Sequence, residues 1–370
     1  METQDEKYMR RAIALAKKGI GKVNPNPLVG AVIVKDGRII AEGYHAKYGE
    51  LHAERHAFSH LTEDACGSIM YVTLEPCCHH GKQPPCTDAI ISHGIKKVYV
   101  GSDDPNALVA GGGIARLREN GIEVVTGVLK EECDALNPVF FHYIQNKTPY
   151  VVMKYAMTLD GKIATAEGNS KWITSEEARE QVQQTRNSLS GIMVGSGTVL
   201  KDDPRLTCRL EEGRNPIRII CDGRLRTMPD SYVVQTAETI PTYIATLESS
   251  RGTQRAKLLE EKQVKLLYTN ESGGHIDLKE LMQQLGELGV DGILLEGGSV
   301  LNESALKAGI VSCLQVYIAP KIFGGQGIYT PVGGEGVIYP KDAYQFGTPQ
   351  VQTFSSGDIL LTYYPQQQEV

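Results

Sequence analysis

Three short segments of the chain combine zinc-binding residue types with a carboxylate that can move protons. They are His52-Ala53-Glu54, Pro76-Cys77 and Cys86. One His and two Cys can hold Zn²⁺ and leave its fourth position open for water, as catalytic zinc sites do. Glu54, two residues beyond the His, is not needed as a ligand and can act as a general acid and base. These residues predict a hydrolytic base deaminase.

The secondary structure expected around these residues places them at the ends of elements. The pattern turns helical at His52, and residues 69–74 form a β run that stops at Pro76. A second helix begins near Cys86, where the positive end of the helix dipole favours a thiolate. The first helix would hold the His52 imidazole and the ionised Glu54 carboxylate together at its own N-terminus.

Two alternatives remain for the cysteine-rich segment. One is a closed structural zinc site that takes its fourth ligand from Cys78, His79 or His80, and the other is a loop without metal. Neither explains the acidic residue of the His-x-Glu segment. Eight residues separate Cys77 from Cys86, whereas the common zinc-deaminase signature is C-x-x-C. The longer loop argues against an ordinary cytidine or tRNA-adenosine deaminase, and no basic, aromatic face for nucleic acid is visible.

The bulk properties indicate two domains that act on small molecules. A chain of 370 residues is longer than a domain with one hydrophobic core usually is, and it fits two domains of roughly 150 to 220 residues. With 38 basic and 44 acidic residues and a net charge of −6, the chain has no field that would gather nucleic acid or anionic membrane. The amphipathic start lacks a signal-peptide apolar region, and no later stretch reaches about 18 apolar residues, so we expect a cytoplasmic protein. The eight cysteines indicate metal ligands and buried thiols in a reducing compartment, without a disulfide framework.

A polar segment that ends at Pro149 separates two α/β patterns, and we place the domain boundary there, with domains at 1–146 and 147–370. Asp36-Gly37 signals a hairpin near the start of the first domain. Apolar runs without alternation favour a mainly parallel sheet, covered by helices on both faces, in the second. The predicted strands are 28–34, 39–44, 69–74, 97–101, 123–126, 150–153, 191–195, 217–221, 242–245, 292–295 and 314–318, and the predicted helices are 1–20, 52–61, 87–93, 113–120, 176–188, 278–288 and 300–307.

Motifs spread over nearly the whole chain carry a resemblance to a known family. In order they are NPNPLVGAV at 24–32, HAE at 52–54, TLEPCCHHGK at 73–82 with PPC at 84–86, DPN at 104–106, LDGK at 159–162, KWITS at 171–175, DDP at 202–204 and EGG at 296–298. With this set the chain resembles the bifunctional riboflavin-biosynthesis deaminase–reductases of bacteria. The long cysteine loop is that family's own version of the zinc motif.

The resemblance implies an α/β protein of two domains. The N-terminal one would be a cytidine-deaminase-like three-layer α/β/α domain, and the C-terminal one a dihydrofolate-reductase-like α/β domain. The first would remove the 2-amino group of 2,5-diamino-6-(5-phosphoribosylamino)pyrimidin-4(3H)-one. The second would reduce the ribose of the product, 5-amino-6-(5-phosphoribosylamino)uracil, to a ribityl chain. One Zn²⁺ per chain and NADPH are the implied cofactors, and a homo-oligomer that binds phosphorylated pyrimidines, without nucleic acid or membrane, is expected.

For the deaminase, the resemblance makes Glu54 the proton shuttle and keeps the three zinc ligands, with Cys77 favoured over Cys78 by the family spacing. The residues implied to line its substrate pocket are Asn26, His45, Lys82, Asp104 and Asn106. Basic side chains here suit a phosphate or ribose, and the amide and carboxylate side chains suit the polar edge of a pyrimidine. Turn chemistry beside Pro is the alternative for Asn26 and Asp104.

For the reductase, the resemblance implies two sets of residues. Those at the cofactor are Ala156, Trp172, Thr198, Asp202, Gly223 and Gly298, and those at the substrate are Lys154, Ser170, Arg186, Leu206, Arg209 and Glu296. Arg186 and Arg209 suit the ribose 5-phosphate, unless they are solvated surface charges. Trp172 either stacks on the nicotinamide or fills a core. Lys154 either binds near the reacting carbon or is an ordinary surface lysine.

A Rossmann fingerprint is absent from the second domain. Gly195-Ser196-Gly197 follows a strand, but Leu200 stands where the third glycine should fall. Residues 296–299 instead close an apolar strand and open a helix, so N–H groups from Gly298 onward can receive a pyrophosphate. A plain tight turn is the alternative here, and no residue stands out as a proton donor for the reduction. A deaminase with a degenerate reductase remains the other interpretation of the whole chain.

Overall fold

The computed structural model describes residues 2–80, 83–106, 109–325 and 329–366. It divides into two compact units, Met1–Lys147 and Thr148–Val370. The domain boundary predicted from the polar segment lies one residue earlier, after residue 146. Of the predicted site residues, Lys82 falls outside the described residues.

The first unit has helices on both faces of a mixed sheet. Within the described residues, its strands are β1 Gly30–Lys35, β2 Arg38–Tyr44, β3 Ile69–Leu74, β4 Lys97–Ser102 and β5 Glu123–Thr126, and its helices are α1 Gln4–Ala16, α2 Ala53–Ser59, α3 Cys86–Ser92, α4 Gly112–Glu119, α5 Lys130–Asp134 and α6 Pro138–Asn146. The strand order is β2–β1–β3–β4–β5. Strand β1 is antiparallel to β2 and β3, whereas β3, β4 and β5 are parallel.

The apolar strands of this unit supply two cores, because successive side chains of a strand point to opposite faces. In β1, Ile33 packs in one core with helices α2, α3 and α4, and Val32 packs in the other with helix α1. The hairpin predicted between β1 and β2 is confirmed, since Asp36 and Gly37 have φ of 48° and 73° in its turn. The result is the three-layer arrangement expected for the first domain.

Helix α2, which carries the expected catalytic residues, lies directly on strand β2 at Gly43. A Cβ at this position would stand 2.2 Å from the backbone nitrogen of Ala57, so the helix can approach this closely only over glycine. The close approach fixes the start of α2 relative to the sheet.

The second unit is a larger, mainly parallel sheet with helices on both faces. Within the described residues, its strands are β6 Tyr150–Thr158, β7 Gly191–Gly195, β8 Ile217–Cys221, β9 Thr242–Leu247, β10 Lys265–Thr269, β11 Glu271–Ser272, β12 His275–Ile276, β13 Gly292–Leu295, β14 Val311–Ala319, β15 Gln350–Thr353 and β16 Ile359–Tyr363, and its helices are α7 Glu176–Ser188, α8 Ser196–Asp202, α9 Tyr232–Gln235, α10 Gln254–Glu261, α11 Leu278–Glu287 and α12 Ser299–Lys307. The main sheet has the order β10–β9–β8–β7–β13–β6–β14–β16–β15. Among its described strands, the only antiparallel pairings are those of β16 with β14 and with β15, and one core lies on each face.

Most predicted elements are confirmed, several with the predicted bounds. These are the strands β3, β5, β7, β8 and β13 and the helix α7. The first helix is shorter than predicted, because it ends at Ala16 and continues only as a 3₁₀ turn, Lys17–Gly19. The elements that were not predicted are the helices α5, α6, α8, α9 and α10 and the strands β10, β11, β12, β15 and β16. Strand β15 is exposed along its whole length, so no burial pattern marks it in the sequence.

Candidate active sites

Three zinc-binding side chains converge at one point of the first unit. His52 is the N-cap of α2, Cys77 follows the end of β3, and Cys86 is the first residue of α3. The His52 Nδ1 atom lies 3.5 Å from the sulfur of Cys77 and 3.5 Å from that of Cys86. All three donor atoms lie within 4.8 Å of one another. One imidazole and two thiols so placed fit a zinc ion with a fourth position open.

The alternative of a closed structural site is not supported by this geometry. Among the described residues, no fourth His, Cys, Asp or Glu joins the three-residue group, and Cys78, His79 and His80 all stand outside it. The Cys78 sulfur lies instead near the start of α4, 3.0 Å from where a Cβ on Gly112 would be.

We expect Cys77→Ser to lose zinc and Cys78→Ser to keep it. Serine cannot supply the thiolate that zinc requires, whereas Cys78 is not among the converging donors. After dialysis against a weak chelator, mass spectrometry of the metal should give close to one zinc per chain for the parent and Cys78→Ser, and close to none for Cys77→Ser. Equal zinc loss in both variants would contradict the ligand assignment, and circular dichroism would control for folding.

Glu54 lies in the first turn of α2, is 3% exposed, and stands outside the ligand group. Burial, with the nearby charge of Cys77, raises the pKa of the Glu54 carboxyl above its usual range. A buried carboxyl whose pKa moves toward neutrality is suited to accept and release protons. The prediction that one helix N-terminus carries His52 and Glu54 together is confirmed. The expectation that the helix field favours the ionised Glu54 is wrong, because burial outweighs that field and raises the pKa.

Two further side chains, which the sequence did not indicate, hold the loop that carries the cysteines. Arg55 donates hydrogen bonds to the carbonyl oxygens of Pro84 and Pro85, at 3.0 and 2.9 Å. Glu75 is 3% exposed, and its two carboxylate oxygens accept from the backbone N–H groups of Gly111 and Ile114 at the start of α4. Their partners lie about 30 to 40 positions away in the chain. No local pattern could have identified them.

A cavity of about 270 Å³ opens beside the zinc-binding group. Its walls include Glu54 and two of the three predicted ligands, His52 and Cys77, together with four of the five predicted pocket residues, namely Asn26, His45, Asp104 and Asn106. The fifth, Lys82, lies outside the described residues. The structure therefore brings these predicted residues to one site.

His45 makes hydrogen bonds through both ring nitrogens. Because the Leu51 carbonyl can only accept, His45 Nδ1 donates to it at 3.0 Å. The other nitrogen, Nε2, then accepts from the Asn26 side-chain amide at 3.2 Å. Burial lowers the pKa of His45, which favours this neutral form. We expected His45 to suit a phosphate or ribose, but in this arrangement it holds Asn26.

Asp104 combines turn chemistry with a place in the cavity wall. Its carboxylate accepts from the backbone N–H of Asn106 at 2.9 Å, which is the turn predicted beside Pro105. The side chain is largely buried, and burial raises the pKa of Asp104 to about 6. The two interpretations of this residue are therefore compatible.

In the second unit, Arg186 and Glu296 form a bidentate ion pair. Arg186 Nε and Nη2 each lie 2.7 Å from a carboxylate oxygen of Glu296, and Arg186 Nη1 donates to the Thr207 carbonyl at 3.0 Å. Their side chains are only 12% and 14% exposed, so the alternative of a solvated surface charge is wrong for Arg186. Although burial opposes it, the Arg186 charge lowers the pKa of Glu296 to about 2.

Lys154 lies on β6 close to this pair. Its ammonium stands 5.5 Å from the centre of the buried Tyr317 ring, a contact that the sequence did not indicate. Burial lowers the pKa of Lys154, while the Glu296 charge opposes that shift. The alternative of a surface lysine therefore does not hold. Arg209 is exposed, but near enough for its charge to act on Glu296.

The predicted cofactor residues differ in position and in exposure. Gly298 is the N-cap of α12, so a helix start and not a plain turn occurs there, and Thr198 Oγ1 lies 3.7 Å from where its Cβ would be. Trp172 is 56% exposed beneath the Arg179 guanidinium, so the core interpretation of Trp172 is wrong. The remaining predicted residues of the second unit are Ala156 on β6, the exposed Ser170 and Asp202, the buried Leu206, and Gly223 just beyond β8.

Family comparisons agree with both units. The model for the zinc-binding region of cytidine and deoxycytidylate deaminases matches residues 2–102, and that for the RibD C-terminal domain matches residues 149–357. The riboflavin biosynthesis protein RibD of Actinobacillus pleuropneumoniae is 56% identical over 359 residues, which span 97% of this chain and 95% of that protein. The chain belongs to the RibD family. It is therefore a bifunctional enzyme of riboflavin biosynthesis, with a deaminase domain followed by a reductase domain.

Other RibD proteins support the same assignment. That of Bacillus amyloliquefaciens is 44% identical over 365 residues, covering 98% of this chain and 96% of that protein. A crystal structure of a diaminohydroxyphosphoribosylaminopyrimidine deaminase/5-amino-6-(5-phosphoribosylamino)uracil reductase from Thermotoga maritima is 42% identical, with a TM-score of 0.86 over 98% of this chain and 99% of that one. None of the described helices has the length and apolar character needed to span a membrane.

Proposed function

We propose that the first unit converts 2,5-diamino-6-(5-phosphoribosylamino)pyrimidin-4(3H)-one to 5-amino-6-(5-phosphoribosylamino)uracil and ammonia, and that the second then reduces the ribose of this product with NADPH. The convergence of His52, Cys77 and Cys86 beside the buried Glu54 carries the proposal. It combines a zinc-binding group with an acid–base residue that is not a ligand, on the wall of a cavity.

In the deaminase, His52, Cys77 and Cys86 would hold one zinc ion. Zinc in such a site supplies a water molecule that loses a proton near neutral pH. Glu54 would take this proton on its carboxylate and deliver protons to the ring nitrogen and to the departing amine. Water adds at the ring carbon that bears the 2-amino group, and the carbon–nitrogen bond to that group breaks to give ammonia.

The pyrimidine would be oriented by Asn26, Asp104 and Asn106. Since Asn26 donates its amide N–H to His45, its carbonyl oxygen is the group that remains for a substrate N–H. We assign His45 to positioning Asn26, and Lys82, by family resemblance, to the phosphate or ribose.

In the reductase, Lys154 would donate a hydrogen bond to the ribose oxygen next to the reacting carbon. The charges of the neighbouring Arg186–Glu296 pair act on this lysine. Arg209, which is exposed, would bind the 5-phosphate. Ser170 and Leu206 would complete the substrate contacts. NADPH would supply the hydride.

The NADPH site would lie at the carboxyl ends of the parallel strands, where open α/β sheets bind ligands. Helix α12 presents its N-terminal N–H groups beyond Gly298, and these suit a pyrophosphate. The remaining cofactor contacts that we assign by family resemblance are Ala156, Trp172, Thr198, Asp202 and Gly223.

The proposal also covers the partners, the oligomeric state and the cellular location of the enzyme. Its partners would be phosphorylated pyrimidines and its own copies, as a homo-oligomer that light scattering would detect. None of the eight cysteines, all of which the structure describes, is in a disulfide, which supports a reducing, cytoplasmic location.

The two activities and their order can be tested with zinc-loaded protein and the diaminopyrimidinone ribosylamine phosphate. Without NADPH, the assay should release ammonia and stop at a product that has lost the amino group. Added NADPH should then be consumed with a mass gain of two hydrogens. No ammonia from protein with stoichiometric zinc would refute the substrate assignment. NADPH consumption before any ammonia release would refute the order.

A further inference from the structure

A second cavity, of about 420 Å³, opens in the reductase unit at the carboxyl ends of three neighbouring parallel strands. The last residues of β7, β8 and β9, which are Gly195, Cys221 and Leu247, all line it. Helix α12 contributes Val300 and Ser304 to another wall. This edge of a parallel α/β sheet is where such folds bind nucleotide ligands.

The cavity is cationic although the chain as a whole has a net charge of −6. Arg224, Arg226 and His275 line it, and among the described residues no Asp or Glu does. The nearest acidic group in contact with these side chains is Asp222, 3.9 Å from Arg226, and its side chain is fully buried. The accessible groups of the cavity therefore favour an anion.

The two arginines stand on a turn whose conformation is held from several sides. Leu225, between them, has φ of 47°, a backbone region unfavourable for leucine, yet it is 4% exposed. Asp222 accepts from the Thr227 N–H and hydroxyl at 2.6 and 2.7 Å. The turn thus buries the leucine and leaves the residues on both sides of it at the cavity.

A third arginine ties the same turn to the neighbouring helix α10. Arg255 donates to the carbonyl oxygens of Leu225 and Thr227, at 3.2 and 2.8 Å. These contacts hold Leu225 in its left-handed conformation and fix the backbone that carries Arg224 and Arg226.

The guanidinium groups retain donors for a ligand. Arg226 Nη2 donates to the hydroxyl of Ser196, another residue that lines the cavity, at 2.8 Å. Arg224 is exposed, and it makes no hydrogen bond or ion pair within the part of the chain that the structure describes. Two guanidinium forks and a hydroxyl match the oxygens of a phosphate group.

The order of the strands indicates which phosphate the cavity could receive. Along the sheet edge, Lys154 on β6 and Glu296 after β13 lie on one side of β7, and the cavity lies over β7, β8 and β9 on the other. Gly298, the proposed pyrophosphate contact, follows β13, and Thr198, a proposed cofactor contact beside it, follows β7, so both stand between Lys154 and β8 in the strand order. At about 4.8 Å per strand, β6 and β8 are roughly 14 Å apart, so a dinucleotide that reacts beside Lys154 would extend its adenosine half into the cavity.

We propose that Arg224 and Arg226 bind the 2′-phosphate of NADPH and thereby select it over NADH. This inference rests on the proposed function of the second unit. The other phosphate available, the 5-phosphate of the pyrimidine substrate, belongs on the Glu296 side, where Arg209 lies. If the arginines bind the 2′-phosphate, they control KM for NADPH. If they bind the 5-phosphate, they control KM for the pyrimidine.

The test compares Arg224→Ala, Arg226→Ala and the double variant in steady-state reductase assays with the deaminated pyrimidine. With NADPH, kcat/KM should fall about 10-fold in each single variant and about 100-fold in the double, mainly through KM for NADPH. With NADH it should change less than about twofold. Arg251→Ala is the matched control, because Arg251 is equally exposed in the same unit but pairs with Glu248 and does not line the cavity.

A binding measurement separates this inference from the proposed function. Calorimetry with 2′,5′-ADP and with 5′-AMP needs neither the pyrimidine nor turnover. The parent should bind 2′,5′-ADP more tightly, and the double variant should bind both alike.

Three results would overturn the inference. They are equal losses with NADPH and NADH, a rise in KM for the pyrimidine alone, and undiminished preference for 2′,5′-ADP in the double variant. A parent protein that turns over neither cofactor while preferring 2′,5′-ADP would refute the proposed function, and only the phosphate-binding role of Arg224 and Arg226 would stand.

Discussion

Replacing Glu54 by Gln is expected to abolish deamination in a protein that still folds and still binds zinc. The loss should be about 10²- to 10⁴-fold, because the amide has the shape of the carboxyl but cannot take or return a proton. Zinc content should stay at that of the parent, since Glu54 is not one of the converging ligands. Ammonia release, measured alongside metal content, tests both statements.

The stability of Glu54→Gln should equal or exceed that of the parent. Burial raises the pKa of Glu54, so the fold disfavours the ionised carboxylate, and a neutral amide avoids this cost at neutral pH. Glu50→Gln removes an exposed carboxylate from the same cavity and should change activity only a few-fold. Retained deamination in Glu54→Gln with stoichiometric zinc would favour a structural metal and contradict the mechanism.

Replacing Lys154 by Met is expected to lower reductase activity strongly without weakening the fold. Loss of one charge-assisted hydrogen bond near the reacting carbon predicts a fall of about 10- to 150-fold in kcat/KM. Burial lowers the pKa of Lys154, so the folded state disfavours the charged ammonium form. Below that pKa the side chain is charged, and the folded protein is less stable for it. Removing it at neutral pH should leave the thermal midpoint unchanged or higher.

The variant Glu296→Ala is expected to lose the same activity but also to be less stable. That variant leaves the buried Arg186 without its partner, which typically costs about 3 to 5 kcal/mol. We therefore expect both variants to lose reduction but only Glu296→Ala to unfold at lower temperature, as followed by calorimetry. Ammonia release by the other unit serves as the internal control. Full reductase activity in Lys154→Met would remove this residue from the substrate site.

The sequence was most informative where an element is buried on both faces and bounded by a breaker. Strands β3 and β13 are continuous apolar runs that end at Pro76 and at the glycines after Glu296, and both have the predicted bounds. Strand β15 lacks this signal because all of its residues are exposed, and only its pairing with β16 makes it a strand.

In the candidate site, too, the residues that short segments mark could be predicted, and those that depend on distant contacts could not. His52, Glu54, Cys77 and Cys86 could be predicted because their spacing and chemistry belong to short segments. The residues that position them could not, since each acts on a distant part of the chain, as Arg55 does on residues 84–85. Nor does any leucine preference reveal the left-handed conformation of Leu225, which tertiary contacts impose.

The two sulfurs of the zinc group also have a consequence for oxidation. They lie within 4.8 Å of each other, so once zinc is removed a movement of at most about 2.7 Å would allow a disulfide of about 2.05 Å. Bound zinc would hold Cys77 and Cys86 as separate thiolates and protect them. Protein exposed to air with a chelator should therefore lose ammonia release and two mass units, and recover only when a reductant accompanies added zinc.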